Sequence, residues 1–261
     1  MIGHPIAHTR SPRIHEAAFR ALGIEGQWSY EAIDVAPSEL QDRLRAFPGE
    51  GFVGANVTIP HKEEAAVLAN EASDAVREIG AANTLSFEGE RIRADNTDAE
   101  GLLASLPSSP RGAAALVLGA GGGARAAVWA LASEGARVEV WNRTGERARE
   151  LAVDLGVEAV DAEGAAASHE LIVNATSVGL GGGGELSELP IGSEQLGPGR
   201  TVVDLAYGDV GTELCRVARE SGATVVDGLE VLGRVAAGSL RIWTGLEPPL
   251  DEMLAAARAE V

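Results

Sequence analysis

Ala114-Ala115-Leu116-Val117-Leu118-Gly119-Ala120-Gly121-Gly122-Gly123-Ala124 is the stretch whose reading decides the fold. Five apolar residues in a row predict a short strand buried on both faces. The glycines follow at once, then a helix through Ser133 that stops at Gly135, then a second strand over 137–141. This is a βαβ unit with a glycine-rich first turn. Gly119 permits the tight turn, and Gly121 lets the backbone approach a pyrophosphate seated on the helix N-terminus. Ala120, Gly122 and Gly123 complete that loop. A glycine motif alone says little. Its placement between an apolar strand and a helix, with a second strand following, gives it meaning.

The end of the second strand selects the cofactor. An NAD site places Asp or Glu there, to bond the ribose 2′-hydroxyl. Here the residues are Asn142-Arg143-Thr144-Gly145-Glu146-Arg147. An arginine in that position suits a 2′-phosphate through charge-assisted hydrogen bonds. The expected cofactor is NADP(H), with Arg143 and Arg147 on the phosphate rather than idle on the surface.

Alternation of strand and helix continues to the C-terminus. Strands are expected over 170–173, 201–205 and 224–226, with a helix over 211–220. The glycine run 181–184 reads as a surface loop. A helix runs from Gly228 to about Trp243 and stops at Gly245, and Pro248-Pro249 opens a last one. Before the glycine-rich unit, 107–113 reads as a linker. Upstream of it, Ser11 followed by Pro12 predicts a helix start, with Gly23 as its end. Thr9 and Ser11 beside that N-terminus could hold a carboxylate or phosphate, or Ser11 could simply cap. Then come a strand over 27–35, a helix over 37–47, a buried strand over 52–58 and a helix opened by Pro60. A helix over 71–79 stops at Gly80. A strand begins at 81–85, Glu88-Gly89-Glu90 turns a hairpin, and 91–94 returns. In Asn96-Thr97-Asp98, either of the first two residues could cap the next helix.

Composition narrows the function. The chain has 261 residues, 45% of them apolar, enough for one large domain or two modest ones. A net charge of −18 argues against nucleic acid and anionic membranes as partners, and requires a local positive pocket for any anionic ligand. A single Cys215 rules out an internal disulfide and any cysteine-based zinc site, and no metal is expected. The opening Met-Ile-Gly-His-Pro does not read as a signal peptide, and no apolar run has the length of a membrane span. A cytoplasmic location is expected.

Lys62 is the only lysine, beside twenty arginines. Arginine keeps its proton near neutral pH, whereas lysine can exchange one. From composition alone, a chance survivor on a solvated face and a required ammonium are equally good readings. Lys62 stands with Asn56 and Thr58 at a strand-to-helix junction, where open α/β sheets bind ligands.

These blocks together resemble the shikimate dehydrogenase family over nearly the whole chain. The segment Gly3 to Pro12, Asn56-Val57-Thr58 with Pro60 and Lys62, Gly80-Ala81-Ala82-Asn83-Thr84, and Asn96-Thr97-Asp98 are similar to its substrate-domain motifs. Gly119-Ala120-Gly121-Gly122, Asn142-Arg143-Thr144 and Asn174-Ala175-Thr176-Ser177 are similar to its cofactor-domain motifs. The resemblance implies a two-domain α/β fold. A substrate α/β domain would take residues 1–101, with 228–261 returning to it, and a Rossmann-type NADP-binding domain 102–227. It implies reduction of 3-dehydroshikimate to shikimate by NADPH, a step of the chorismate pathway in aromatic amino-acid biosynthesis. Lys62 would be catalytic, with Asp98 orienting it. Thr9, Ser11, Asn56, Thr58, Asn83, Asp98 and Tyr207 would meet the substrate. Thr176 belongs with the cofactor residues, and Leu205 and Gly228 would touch the nicotinamide end through their backbones. The protein would act as a monomer or homodimer.

The chain departs from the family pattern in places. Val231 and Val235 stand where the late motif has methionine and a substrate-bonding glutamine, Thr9 where serine is usual, and Asp209 where proline is common. One lost hydrogen bond costs about 0.5–1.5 kcal/mol, roughly tenfold in binding. The departures keep two alternatives open: a quinate or other cyclic hydroxy-acid dehydrogenase, and a non-catalytic NADP-binding sensor.

Overall fold

The computed structural model describes residues 1–7 and 9–259. His8, in the expected opening motif, and residues 260–261 of the expected returning segment lie outside the described residues. The chain divides into two compact units, Met1–Gly101 with Leu232–Ala259, and Leu102–Val231.

The first unit opens with β1 (Ile2–Gly3), α1 (Ser11–Ala21), β2 (Ile33–Asp34) and α2 (Leu40–Ala46). β3 (Gly54–Asn56), α3 (Lys62–Leu68), β4 (Glu71–Ala72) and α4 (Asp74–Ile79) follow, then the hairpin β5 (Thr84–Glu88) and β6 (Arg91–Asp95). Four strands form a sheet in the order β3-β5-β6-β4, and β1 pairs with β2 in parallel. A bridge from Ile2 to Val57 ties the two sheets together. Ile2, Leu40, Leu44, Phe47, Val57 and Leu85 are sealed in one core beneath them.

Several expected elements are shorter or begin elsewhere. The strand over 27–35 is only Ile33–Asp34, because its partner β1 is two residues long. The strand over 52–58 stops at Asn56, where the ladder partner changes: the Val57 amide donates to Asn83 O and the Thr58 amide to Ile2 O. The expected helix over 71–79 is a strand and a helix. Glu71 and Ala72 pair with β6, and the Ser73 hydroxyl accepts the Val76 amide to start α4. Tertiary pairing overrides the helical preference of Glu and Ala there. Pro60 does not open a helix, since α3 starts at Lys62 with His61 as its cap. Ser11 does not cap α1 either. Arg10 holds the cap position without a side-chain bond to the helix amides, and Ser11 is the first helical residue. The helix over 37–47 opens as a 3-10 turn, Pro37–Glu39.

The second unit contains β7 (Ala114–Leu118), α6 (Gly122–Ser133), β8 (Arg137–Trp141), α7 (Gly145–Leu155), β9 (Glu158–Ala159) and α8 (Ala162–Ala165). It continues through β10 (Leu171–Asn174), β11 (Thr201–Asp204), α9 (Glu213–Glu220) and β12 (Thr224–Val226). The strands form one parallel sheet in the order β12-β11-β10-β7-β8-β9. The chain leaves β7 toward β8 and returns to its other side at β10, so β7 is the switch point where such sheets bind ligands. The sequence pattern does not predict β9 and α8; two ladder residues and one helical turn are too short to leave a periodic signal. The helix expected over 211–220 starts at Glu213, capped by the Thr212 hydroxyl.

α5 (Asp98–Ser105) and α10 (Gly228–Thr244) each begin in one unit and end in the other. α11 (Leu250–Arg258) packs on α1, where the buried Arg10 guanidinium donates to Ala257 O at 2.7 Å. Among the described residues, no helix is long and apolar enough to cross a membrane.

His15, on α1, is fully buried and stacks on Tyr30 with ring centroids 4.1 Å apart. Burial holds its pKa down at about 3, from an ordinary 6.5. The unfolded chain therefore takes a proton that the native state refuses. The native state should lose about 1.4 kcal/mol per pH unit as pH falls below about 6.5 toward 3. Denaturant unfolding from pH 7 to 4 should show this slope in the wild type and its reduction in His15→Phe. Equal slopes in the two proteins would refute the assignment.

Candidate active site

Lys62 is the first residue of α3, and its backbone carbonyl accepts the Ala82 amide at 2.8 Å. That bond fixes the start of α3 beside the segment leading into β5. The Lys62 ammonium donates to Asp98 Oδ2 at 2.7 Å, with side-chain exposures of only 15% and 16%. Poor access to water preserves more of this attraction than an exposed pair keeps. Asp98 opens α5, where a carboxylate is favoured by the helix dipole. Asn96 is the residue that caps this helix, its Oδ1 accepting the Asp98 and Ala99 amides. Thr97 turns inward instead.

Asn83 organises the cluster. Its Nδ2 donates to Asp98 Oδ1 at 2.9 Å and to Thr97 Oγ1 at 3.0 Å, while its Oδ1 accepts the Thr97 amide at 2.7 Å. Asn56, 4% exposed, is held from both ends: Tyr30 Oη donates to its Oδ1 at 2.7 Å, and its Nδ2 donates to Ser239 Oγ at 2.7 Å. Lys62, Asp98, Asn83 and Asn56 thus form one continuous polar patch in an apolar setting. Sequence reasoning missed Ser239 and Tyr30. Ser239 had a signal, since it lies one helical turn after Val235 on α10.

The other expected substrate residues are placed less tightly. Thr9 Oγ1 donates to Ser11 Oγ at 3.2 Å, so the two hydroxyls are adjacent as the sequence suggested. Thr58 lies at the β3 exit, and its amide bonds Ile2 O at 2.9 Å. Tyr207 belongs to the second unit, on the segment after β11. Val235 has no polar side-chain atom, and its backbone carbonyl accepts from Thr97 Oγ1 and Ser239 Oγ. Its branched side chain lies against Gly101, where an added Cβ would stand 2.6 Å from Val235 Cγ2.

In the second unit, Leu118, Trp141, Asn174 and Asp204 end their strands in register, so the expected cofactor loops leave from one edge. Gly119 has φ +115°, and a Cβ there would meet Ala175 O at 2.8 Å. Only glycine fits this turn. At Gly121 an added Cβ meets nothing within 4 Å, and no side chain caps α6 behind it. The open N-terminus of α6, with its free amides, fits a pyrophosphate. Thr176 is held by Asn174, whose Oδ1 accepts both its amide and its hydroxyl.

A cavity of about 440 Å³ lies at the end of β8, lined by Asn142, Arg143, Gly145 and Arg149 together with Ala159 and Asp161. Arg147 does not line it, contrary to its expected pairing with Arg143; Arg149 does. Helical side chains lean toward the N-terminus, which carries Arg149 back over Gly145 four residues earlier. Among the described residues no cluster of three or more His, Cys, Asp or Glu could hold a metal.

Known proteins resemble this chain along nearly its whole length. A family model described as the shikimate dehydrogenase substrate binding domain matches residues 1–85, and one described as shikimate/quinate 5-dehydrogenase matches 103–179. The NADP⁺ shikimate dehydrogenase of Anaeromyxobacter dehalogenans strain 2CP-C is 41% identical over 272 residues, covering 99% of this chain and 95% of its own. That of Rhizobium meliloti is 42% identical, covering 97% and 91%. The shikimate 5-dehydrogenase of Thermus thermophilus, solved with NADP(H) and shikimate, superposes with a TM-score of 0.88 at 40% identity, covering 98% and 97%. A 5-ketofructose reductase of Gluconobacter sp. strain CHM43 superposes at 0.83 with 27% identity, covering 98% and 95%. With two-fifths of its residues shared along nearly its full length, this chain belongs to the shikimate dehydrogenase family.

Proposed function

We propose that this chain reduces 3-dehydroshikimate to shikimate reversibly with NADPH, its first unit binding the substrate and its second the cofactor. The observation that carries the chemistry is the ammonium of Lys62, held by Asp98 in a nearly dry polar patch. Gly119 to Gly123, Asn142, Arg143, Thr144, Thr176, Leu205 and Gly228 are assigned to the cofactor, with Arg149 in the place expected of Arg147. The open N-terminus of α6 and the Arg143 cavity support that assignment.

When bound, the nicotinamide supplies hydride to the ketone carbon. Negative charge grows on the ketone oxygen as the carbonyl bond opens. Lys62 stabilises that charge and gives the oxygen a proton, as a positioned general acid does. Asp98 fixes Nζ and accepts from a ring hydroxyl. Asn83 holds Asp98 from the other side. Asn56 and Thr58 bond further hydroxyls, and Thr9 and Ser11 meet the carboxylate, their hydroxyls already paired. Tyr207 completes the substrate set. In the reverse direction each proton and hydride step runs backward.

A second reading keeps the reaction and changes the acid to quinate or another cyclic hydroxy acid. Val235 favours it, because its side chain offers no hydrogen bond and lies against Gly101. The existence of a fold relative named for 5-ketofructose agrees with substrate drift on this scaffold.

NADPH oxidation with 3-dehydroshikimate tests the leading reading directly, and no turnover would overturn it. Lys62→Ala should lower kcat by roughly two to four orders of magnitude with little change in KM. Lys62→Arg should not restore it, because guanidinium is a poor proton donor. Near-normal kcat in either variant would remove Lys62 from the mechanism. Val235→Gln should raise kcat/KM for shikimate by about tenfold. A larger kcat/KM for quinate than for shikimate in the wild type would favour the second reading instead.

A further inference from the structure

Asp204 is fully buried at the end of β11, yet no cation is paired with it among the described residues. A carboxylate in such a place must be satisfied by dipoles alone. Its Oδ1 accepts from Asn174 Nδ2 at 2.8 Å and from the Ala206 amide at 3.1 Å. Its Oδ2 accepts from Thr212 Oγ1 at 2.5 Å and, longer, from Cys215 Sγ at 3.9 Å. These donors come from separate places: the end of β10, the segment just after β11, and the start of α9.

Each donor in turn anchors another group. Asn174 spends its remaining amide hydrogen on Val178 O at 3.1 Å, and its Oδ1 takes both bonds from Thr176. The Ala206 amide sits between Leu205 and Tyr207. Thr212 Oγ1 also accepts the Cys215 amide at 3.2 Å, which starts α9. Gly228, at the start of α10, lies against the same segment. An added Cβ there would stand 2.4 Å from Ala206 O and 3.0 Å from Asp204 O. Thr176, Leu205, Tyr207 and Gly228 therefore share one buried anchor.

We propose that Asp204 is a positioning residue for the nicotinamide end of the cofactor, holding the 174–178 and 205–212 segments in one arrangement through Asn174, Ala206 and Thr212. This rests on the cofactor placement proposed above. An anion serves here because each of its oxygens can accept two bonds without donating any. Asparagine has nearly the same shape but presents one oxygen and one NH₂, so it cannot accept on both sides at once. Burial pushes the Asp204 pKa up to about 6, against the opposing pull of its hydrogen-bond donors. The adenosine half is assigned to a different place, at the end of β8, and none of the four donors touches it.

That separation gives the test. NADPH and 2′,5′-ADP binding are measured by calorimetry for the wild type, Asp204→Asn and Thr212→Val, with thermal unfolding as a check on folding. NADPH affinity should fall at least tenfold in Asp204→Asn and by less in Thr212→Val, while 2′,5′-ADP affinity stays within twofold of the wild type. In turnover, KM for NADPH should rise and Thr212→Ser should restore it. Unchanged NADPH affinity in Asp204→Asn would overturn the proposal. So would an equal loss for both ligands, which marks a general loosening of the unit. Should Asp204→Asn fail to fold, Thr212→Val decides alone by the same comparison. A wild type that binds neither ligand fails the cofactor reading itself, and this inference with it.

Discussion

The bonds of the Asn83 side chain are the constraint on which the first unit's chemistry depends. One carboxamide joins the start of β5 to the start of α5, donating to Asp98 and Thr97 and accepting the Thr97 amide. Asp98 then has one oxygen occupied, and its other receives Lys62. Without that carboxamide the acidic side chain would have a wider choice of rotamers, and the ammonium would follow it. An ion pair positions a proton donor only as well as its less mobile partner is held.

Asn56 repeats the device one strand away. Its amide is gripped by Tyr30 on one side and by Ser239 on the other, and Tyr30 is itself stacked on a buried, uncharged His15. The support comes from α1, α10 and the segment before β2, which lie far apart in sequence. Buried polar groups are costly unless bonded, and Asn83, Thr84, Ser239 and Thr97 share their bonds around a closed ring. The same economy holds in the second unit, where an unpaired carboxylate is kept because it can accept from several segments together.

The fold class was legible because it rests on local signals. A five-residue apolar run followed by glycines specifies strand, turn and helix without reference to anything distant, and Gly119 adopts the positive φ that this reading demanded. The motif blocks carrying Lys62, Asn83 and Asp98 were also legible, and they meet in space. Short elements were not. The pair Glu71–Ala72 forms a strand only because β6 lies beside it, and β9 exists only as a partner for β8.

Residue chemistry and order therefore came from the sequence: a lone amine among arginines, a glycine turn after a buried strand, an arginine after the next one. Tertiary structure decided which side chains share a hydrogen bond. It turned Ser11 from a cap into a partner for Thr9, brought Arg149 rather than Arg147 to the cavity beside Arg143, and made Asp204 and Ser239 anchors. The physical reason is range. Helix and turn preferences act within a few residues, whereas a bond between residues 56 and 239 depends on the packing of everything between them.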